Sequence, residues 1–229
     1  VGFDFGDHYN EISWAKRLSE KIGVDHHTKL IGSDEFWGAV PKVQYQMDQP
    51  LADPSCIALY FVSKLASKYV KVVLSGEGAD ELFGGYTVYN EPHVFKLYQK
   101  IFNQKARTAL ANKARKMPHI KGRGFILRGE RVTEEKFIGN AFLFDDKEKD
   151  EILKDTSIVT RPQDLCKKFY DRVRGYDDVT KMQYLDINRW MVGDILLKAD
   201  RMSMAHSLEL RVPFLDKEVF AVASRIPVK

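Results

Sequence analysis

Core-facing positions in the first 90 residues follow two periods, one typical of helices and one typical of buried strands. Helical spacing predicts three helices, at residues 10–22, 33–46 and 55–69. The first helix carries its predicted core stripe at Ile12, Ala15, Leu18, Ser19 and Ile22. Short apolar runs predict two strands, at residues 27–31 and 70–74. This β/α alternation predicts a parallel sheet covered by helices.

The pattern changes after Gly85, where strand-like runs stop and polar-faced helical segments follow. These segments are predicted at residues 92–116, 133–155, 162–174 and 180–208. The last segment is predicted to break near Asp200. Its predicted core stripe consists of Val192, Ile195, Leu196, Ala199 and Met202. We therefore expect an α/β nucleotide-binding part at residues 1–90 and a mainly helical part at residues 91–229.

Composition and charge narrow the class of protein. A length of 229 residues suits one large domain, and 44% hydrophobic with 30% charged residues is typical of a globular protein. No apolar run approaches the roughly 18 residues of a membrane span, and the first residues do not form a signal peptide. A net charge of +4 gives little support for nucleic-acid binding. We expect a cytoplasmic protein with neither a membrane nor a nucleic-acid partner.

Three smaller features add expectations. Cys56 and Cys166 lack metal-binding spacing, so reduced thiols are expected. His26-His27 has no third ligand at metal spacing, and histidines with a structural role are expected there. Because the chain begins at Val1 and not at methionine, we expect it to be part of a longer protein.

The most informative stretch is Lys71-Val-Val-Leu-Ser-Gly-Glu-Gly-Ala-Asp-Glu-Leu-Phe-Gly-Gly-Tyr86, where a strand-like run ends in glycines and carboxylates. Glu77, Asp80 and Glu81 place three negative charges within five residues. On an ordinary helix Glu77 would face both of the others, and like charges at these spacings repel. Carboxylates beyond the carboxyl end of a parallel strand suit a Mg²⁺ ion that carries phosphates. A capped, acidic helix start is the alternative, although capping needs only one acceptor.

A second charged pattern, Asp-x-x-x-Lys-x-Asp-Arg, begins at Asp194. Lys198 and Arg201 lie one and two turns further along, so the three side chains share a helix face. The residues alone leave two interpretations open, a solvated ladder of ion pairs or one wall of an anion-binding site.

Both patterns resemble signatures of a known family. Ser75-Gly-Glu-Gly-Ala-Asp-Glu-Leu-Phe-Gly-Gly-Tyr86 is similar to the second signature of the synthetase domain of glutamine-hydrolysing asparagine synthetases. Lys198-Ala-Asp-Arg-Met-Ser-Met-Ala-His-Ser-Leu-Glu-Leu-Arg-Val-Pro-Phe-Leu-Asp216 is similar to a later signature of that domain, in the same order. Shorter matches precede them, at Val1-Gly-Phe, Asn10-Glu, His26-His27 and Asp53-Pro-Ser. Two long motifs in order are far more specific than one glycine-rich loop.

The resemblance implies a fold of the adenine-nucleotide alpha-hydrolase type, with a Rossmann-like parallel sheet that is incomplete at the N-terminus. It also implies a ligase that uses ATP and Mg²⁺ to make asparagine from aspartate through a β-aspartyl-AMP intermediate. In such enzymes, ammonia comes from glutamine in an N-terminal glutaminase domain of the same chain. A homodimer is compatible with this family.

The resemblance assigns roles to individual residues. Glu77 matches the general base that takes a proton as ammonia attacks, and Asp194 is expected beside it as a second catalytic residue. Asp80 matches a position that binds Mg²⁺ and pyrophosphate. The expected nucleotide-binding positions are Val1, Ser75, Gly76, Asp80 and Tyr86, with Val1 contacting adenine. We expect Glu77, Asp80 and Asp194 to converge on one cleft.

Two parts of the family's active site are missing from the sequence: the pyrophosphate loop Ser-Gly-Gly-x-Asp-Ser, and a lysine that lies beyond the later signature, which ends at Asp216. The isolated chain is therefore expected to be inactive. Two alternatives remain: a related amide-forming enzyme (a β-lactam synthetase or a peptide cyclase), and a non-catalytic nucleotide-binding or scaffolding module. Glu77 argues against a β-lactam synthetase, which has tyrosine at that place. The retained Glu77, Asp80 and Asp194 argue against a module that has lost its chemistry.

Overall fold

The structure is a computed structural model that describes residues 2–3, 12–50, 53–118, 120–140, 144, 146–156 and 159–228. The first part of the chain runs β1 (Gly2–Phe3), α1 (Ile12–Ile22), β2 (Leu30–Ile31), α2 (Ser33–Met47), α3 (Ser55–Ala66), β3 (Val72–Leu74) and α4 (Ala79–Phe83). The middle holds a 3₁₀ turn (Thr87–Asn90), α5 (Glu91–Ile101), α6 (Gln104–Arg115), α7 (Arg123–Arg128), α8 (Thr133–Lys136), α9 (Asp146–Ile152), α10 (Pro162–Arg172) and α11 (Asp178–Asn188). The last part runs through a π-helical turn (Met191–Ile195), α12 (Leu196–Met204), β4 (Glu209–Arg211), a 3₁₀ turn (Pro213–Leu215) and α13 (Lys217–Ala223).

About 64% of the described residues are helical and a small part forms parallel strands, which confirms an α/β protein in which helices dominate the C-terminal half. Contacts between Cα atoms group it into two compact units. The first unit combines residues 1–77 with residues 192–216. The second unit combines residues 78–191 with residues 217–229. The division into residues 1–90 and 91–229 stays a prediction.

The first unit contains two parallel strand pairs, β1 with β2 and β3 with β4. In the second pair Val72 lies opposite Glu209 and Leu74 opposite Arg211. Its core lies between α2, α3 and α12, where the largest fully buried side chains are Ile31, Val43, Met47, Cys56 and Met202. The mostly apolar sequence of α3 explains why that helix is central to this core.

Two features of the first unit differ from the sequence prediction. Helix α1 forms, but its stripe does not reach the core: Leu18 is 58% exposed and Ile22 is 60% exposed, and only Ser19 of the stripe is buried. The C-terminal helical region breaks at the π-helical turn Met191–Ile195, not near Asp200. Because of this turn, Val192 is 63% exposed instead of joining Ala199 and Met202 in the core.

Helices are the only regular elements of the second unit among the residues that the structure describes. Its core packs the turn after α4 against α10 and α11, through buried side chains that include Tyr89, Phe137, Tyr170, Met182 and Leu185. Asp177 caps α11, because its carboxylate accepts from the backbone N–H of Thr180. No helix among the described residues is both long enough and apolar enough to cross a bilayer.

Candidate functional site

The glycine-rich signature begins where β3 ends and contains the short helix α4. Gly78 and Gly84 flank that helix with φ angles of 90° and 71°, a left-handed region that favours glycine. Asp80 and Glu81 lie in the first turn of α4, where carboxylates interact favourably with the helix dipole. Glu77 lies before α4 in the chain. The repulsion expected for three carboxylates on one helix is thus avoided, because only two of them are helical.

Gly85 leaves space for the carboxylate of Asp80. Its backbone N–H donates to the Asp80 carbonyl at 2.9 Å, which folds the chain back over α4. A Cβ atom at residue 85 would collide with the Asp80 carboxylate group. The glycine at residue 85 therefore lets the exposed Asp80 carboxylate lie against the backbone at this point.

Glu81 points inward, unlike its neighbour Asp80. It is 1% exposed and accepts a hydrogen bond of 2.8 Å from the hydroxyl of Tyr86. Burial, together with the Glu81 carboxylate, raises the pKa of Tyr86. The Nε2 group of Gln183 donates to the backbone carbonyls of Glu81 at 2.9 Å and Leu82 at 3.3 Å. Glu81 therefore anchors the motif, and Asp80 is the carboxylate of α4 that faces solvent.

The sequence analysis missed one buried carboxylate of the second unit, Asp186. Asp186 on α11 is fully buried and accepts a hydrogen bond of 2.6 Å from the hydroxyl of Tyr89. Burial raises the pKa of Asp186 to about 7; the Tyr89 hydrogen bond opposes that rise and the Glu81 charge adds to it. The available signal was helical spacing, because Asp186 follows Val179 and Met182 on the apolar face of α11, where an aspartate is unusual.

In the first unit, Asp194 belongs to a buried ion cluster. Lys198 pairs with Asp53 and, at 3.5 Å, with Asp194. The side chains of Lys198 and Asp194 are only 7% and 8% exposed, which excludes a solvated ladder of ion pairs. Asp53 also accepts from the backbone N–H of Ser55 at 2.8 Å, which ties the cluster to the start of α3. Sequence analysis placed Lys198 beside Asp194 correctly but missed Asp53 as the stronger partner.

The pKa shifts in this cluster follow from burial and pairing. Burial opposes the charge on Asp53, but hydrogen bonds from Lys198 and Ser55 outweigh it and lower the pKa of Asp53. Burial raises the pKa of Asp194, against the attraction of Lys198. For Lys198, burial is outweighed by the two carboxylates, and its pKa is raised. The ammonium group of Lys198 is therefore neutralised by protein carboxylates.

Among the remaining predicted site residues, Ser75, Gly76 and Glu77 directly follow β3. The backbone N–H of Ser75 donates to the carbonyl of Arg211 at 2.8 Å and extends the β3–β4 pairing by one residue. Ser75 and Glu77 are half-buried and Gly76 is exposed. Val1, the predicted adenine contact, lies outside the described residues. Glu77 and Asp194 belong to the first unit, whereas Asp80 and Tyr86 belong to the second, and their convergence on one cleft stays a prediction.

The family profile described as "Asparagine synthase" matches residues 1–229, the whole chain. The chain belongs to the asparagine synthase family. It is 45% identical over 228 residues to "Asparagine synthetase [glutamine-hydrolyzing] 1" of Bacillus subtilis (strain 168), covering 99% of this chain and 36% of that protein. It is 43% identical over 220 residues to a "Putative asparagine synthetase [glutamine-hydrolyzing]" of Mycobacterium bovis, covering 96% of this chain and 34% of that protein. The chain thus spans about a third of the length of these relatives.

Asp186 makes the stability of this asparagine synthase domain depend on pH. Its pKa is about 7 in the fold and near 3.8 when unfolded, so between these values the folded state holds more protons. The stabilisation is complete below about pH 4 and is lost as the pH rises through 7. We expect Asp186→Asn, which mimics the protonated acid, to raise the thermal midpoint of the complete protein at pH 8 more than at pH 5.5.

The matched control is Asp171→Asn on α10. Asp171 is an ion-paired carboxylate whose pKa is lowered by hydrogen bonds from Lys167 and Arg174, so its ionisation is complete at both pH values. Its substitution should shift the midpoint equally at pH 5.5 and pH 8. Equal shifts for Asp186→Asn would show that this carboxyl group does not titrate between pH 5.5 and pH 8, and would contradict the prediction.

Proposed function

We propose that the chain is part of the ATP-dependent amidating domain of a glutamine-hydrolysing asparagine synthetase. In this proposal the complete protein converts aspartate to asparagine through a β-aspartyl-AMP intermediate. Ammonia comes from glutamine in an N-terminal glutaminase domain of the same chain. The family match over residues 1–229 carries the proposal. The turn around Asp80 supports it, because Gly78 and Gly84 adopt the left-handed backbone conformation found in anion-binding turns, and the exposed Asp80 carboxylate can bind the Mg²⁺ that accompanies phosphates.

The proposal gives each side chain a task. Glu77 takes the proton that ammonia loses as its nitrogen attacks the activated carboxyl group, a general-base role suited to a half-buried carboxylate. Val1, Ser75, Gly76 and Tyr86 border the nucleotide. Asp194 supports the site through its ion pair with Lys198, because its buried carboxylate is already engaged there.

A magnesium ion fits the donor set of the motif. The described residues contain no group of three or more histidine, cysteine or acidic side chains able to hold a metal on their own. Mg²⁺ commonly uses one or two protein carboxylates and completes its shell with water and phosphate oxygens. Asp80 is exposed and can serve as such a ligand, whereas Glu81 is occupied by Tyr86. When bound, Mg²⁺ supplies charge that stabilises the departing pyrophosphate.

We further propose the adenine-nucleotide alpha-hydrolase-like fold for the complete domain, with residues 1–90 as its α/β part and residues 91–229 as its mainly helical part. The two separate parallel strand pairs support a larger sheet of this type. A cytoplasmic location and a homodimer accompany the proposal as further expectations.

The test is product analysis on the complete protein. With ATP, Mg²⁺, aspartate and glutamine, we expect AMP, pyrophosphate and asparagine in equal amounts. Glutamate should replace aspartate poorly, if at all. Release of ADP and phosphate, or nucleotide binding without turnover in the presence of aspartate, would contradict the proposal.

A further inference from the structure

The signature helix α4 is too short to hold itself in place. It has five residues, and an isolated helix of that length does not form in water. Its last carbonyls need donors from elsewhere in the fold, because no further helical turn supplies them. Gln183 supplies donors to two of them, the carbonyls of Glu81 and Leu82.

Helix α11, which carries Gln183, is anchored in the core of the second unit. Met182 and Leu185 on either side of Gln183 are fully buried in the core of the second unit. Lys181 forms an ion pair of 2.6 Å with Glu134. The Gln183 side chain therefore extends from a well-packed helix, and its hydrogen bonds position α4.

We propose that Gln183 is a positioning residue for the signature carboxylate Asp80. Its amide fixes the end of α4 through the two carbonyls, and Asp80 immediately precedes Glu81 on that same turn. The Tyr86–Glu81 hydrogen bond holds the side chain of Glu81 but not the helix backbone. The inference rests on the proposed function, because the role of Asp80 toward Mg²⁺ and pyrophosphate belongs to it.

A cavity beside Gln183 makes it possible to distinguish a role in positioning α4 from a role in the stability of the fold. The cavity has a volume of about 590 Å³ and is bordered by Gln183, Leu82, Gly84 and Tyr184. When Gln183 loses its donor, water from this cavity can hydrate the two carbonyls, and little free energy of unfolding is lost. Water can donate to these carbonyls from many positions, whereas the Gln183 amide donates from one, so only the amide fixes the orientation of α4. Loss of the donor should therefore loosen α4 without unfolding the second unit.

The test compares Gln183→Met, which keeps the size but removes both donors without adding a charge, with Gln183→Lys, which keeps a donor of similar reach. The control is Gln99→Ala, because Gln99 makes the same kind of bond, to the carbonyl of Arg131 at 3.1 Å, on α5. In the complete protein we expect Gln183→Met to lower kcat for pyrophosphate release roughly 10–100-fold, the cost of slight misplacement of a reacting group. The Mg²⁺ concentration for half-maximal rate should rise several-fold, while Gln183→Lys and Gln99→Ala stay close to wild type.

A second measurement does not depend on activity. Amide hydrogen exchange in residues 79–86 should become faster in Gln183→Met than in Gln183→Lys, with little change in the thermal midpoint. Wild-type exchange and wild-type Mg²⁺ dependence in Gln183→Met would overturn the positioning role and leave the proposed function intact. If the wild-type protein releases no pyrophosphate with aspartate, the proposed function fails, and exchange then decides only whether Gln183 orders α4.

Discussion

Glu77→Gln in the complete protein should lower asparagine formation by roughly 10²–10⁴-fold, the usual cost of losing a general base. Glutamine keeps the size of the side chain but cannot accept the proton that ammonia gives up. Formation of the adenylate precedes that proton transfer, so pyrophosphate release should continue at least in part. The variant should therefore separate the two half-reactions.

The measurement is a rapid-mixing assay of pyrophosphate, with ¹⁸O-labelled aspartate to follow oxygen transfer to AMP. Asp80→Asn serves as the matched variant, because it removes one carboxylate from the same motif. Loss of a Mg²⁺ or pyrophosphate contact should slow the burst itself. If Glu77→Gln abolishes the burst and Asp80→Asn preserves it, the roles of the two carboxylates are reversed.

Lys198→Met is expected to lower the free energy of unfolding by about 3–5 kcal/mol, the typical cost of breaking a buried ion pair. Methionine fills similar space but leaves Asp53 and Asp194 facing each other without a cation, in a place where the Asp194 side chain is 8% exposed. Part of the loss should be recovered at low pH, where protonation of either carboxylate removes the repulsion.

The rescue variant joins Lys198→Met with Asp53→Asn and Asp194→Asn. Asparagine at residue 53 can still accept from the N–H of Ser55, so the start of α3 keeps its contact. Urea unfolding at pH 7.5 should show the triple variant to be more stable than Lys198→Met alone. A triple variant less stable than the single one would show that the two carboxylates stabilise the fold without Lys198, and would contradict the predicted repulsion.

The sequence predicted what is local and missed what is distant. The strands β2 and β3 and the helices α1 to α3 follow from short-range periodicity, and Asp194 with Lys198 follows from a spacing of four residues. The partners that decide the chemistry of each carboxylate are far away: Gln183 is 102 residues from Glu81, and Asp53 is 145 residues from Lys198.

Hydrophobic periodicity also does not predict whether another element covers the apolar face of a helix. The stripe of α1 has helical spacing whether or not another element covers it, and in this chain Leu18 and Ile22 are exposed. The π-helical turn at Met191–Ile195 adds a residue to the helical register, and so it displaced Val192 from its predicted core position. Burial of Glu81 next to an exposed Asp80 likewise depends on Tyr86 and on α11, and not on the motif itself.

The discontinuous build of the first unit has a consequence for synthesis on the ribosome. Strand β3 cannot pair until β4 has been translated, because Val72 lies opposite Glu209, 137 residues later (209 − 72). At about 5–20 residues per second this is a delay of roughly 7–27 s. During that time residues 78–191, the larger part of the second unit, can begin to fold, while the edge of β3 stays open to other unpaired strands. We therefore expect the strand that leads into the signature motif to be a site of aggregation in the nascent chain.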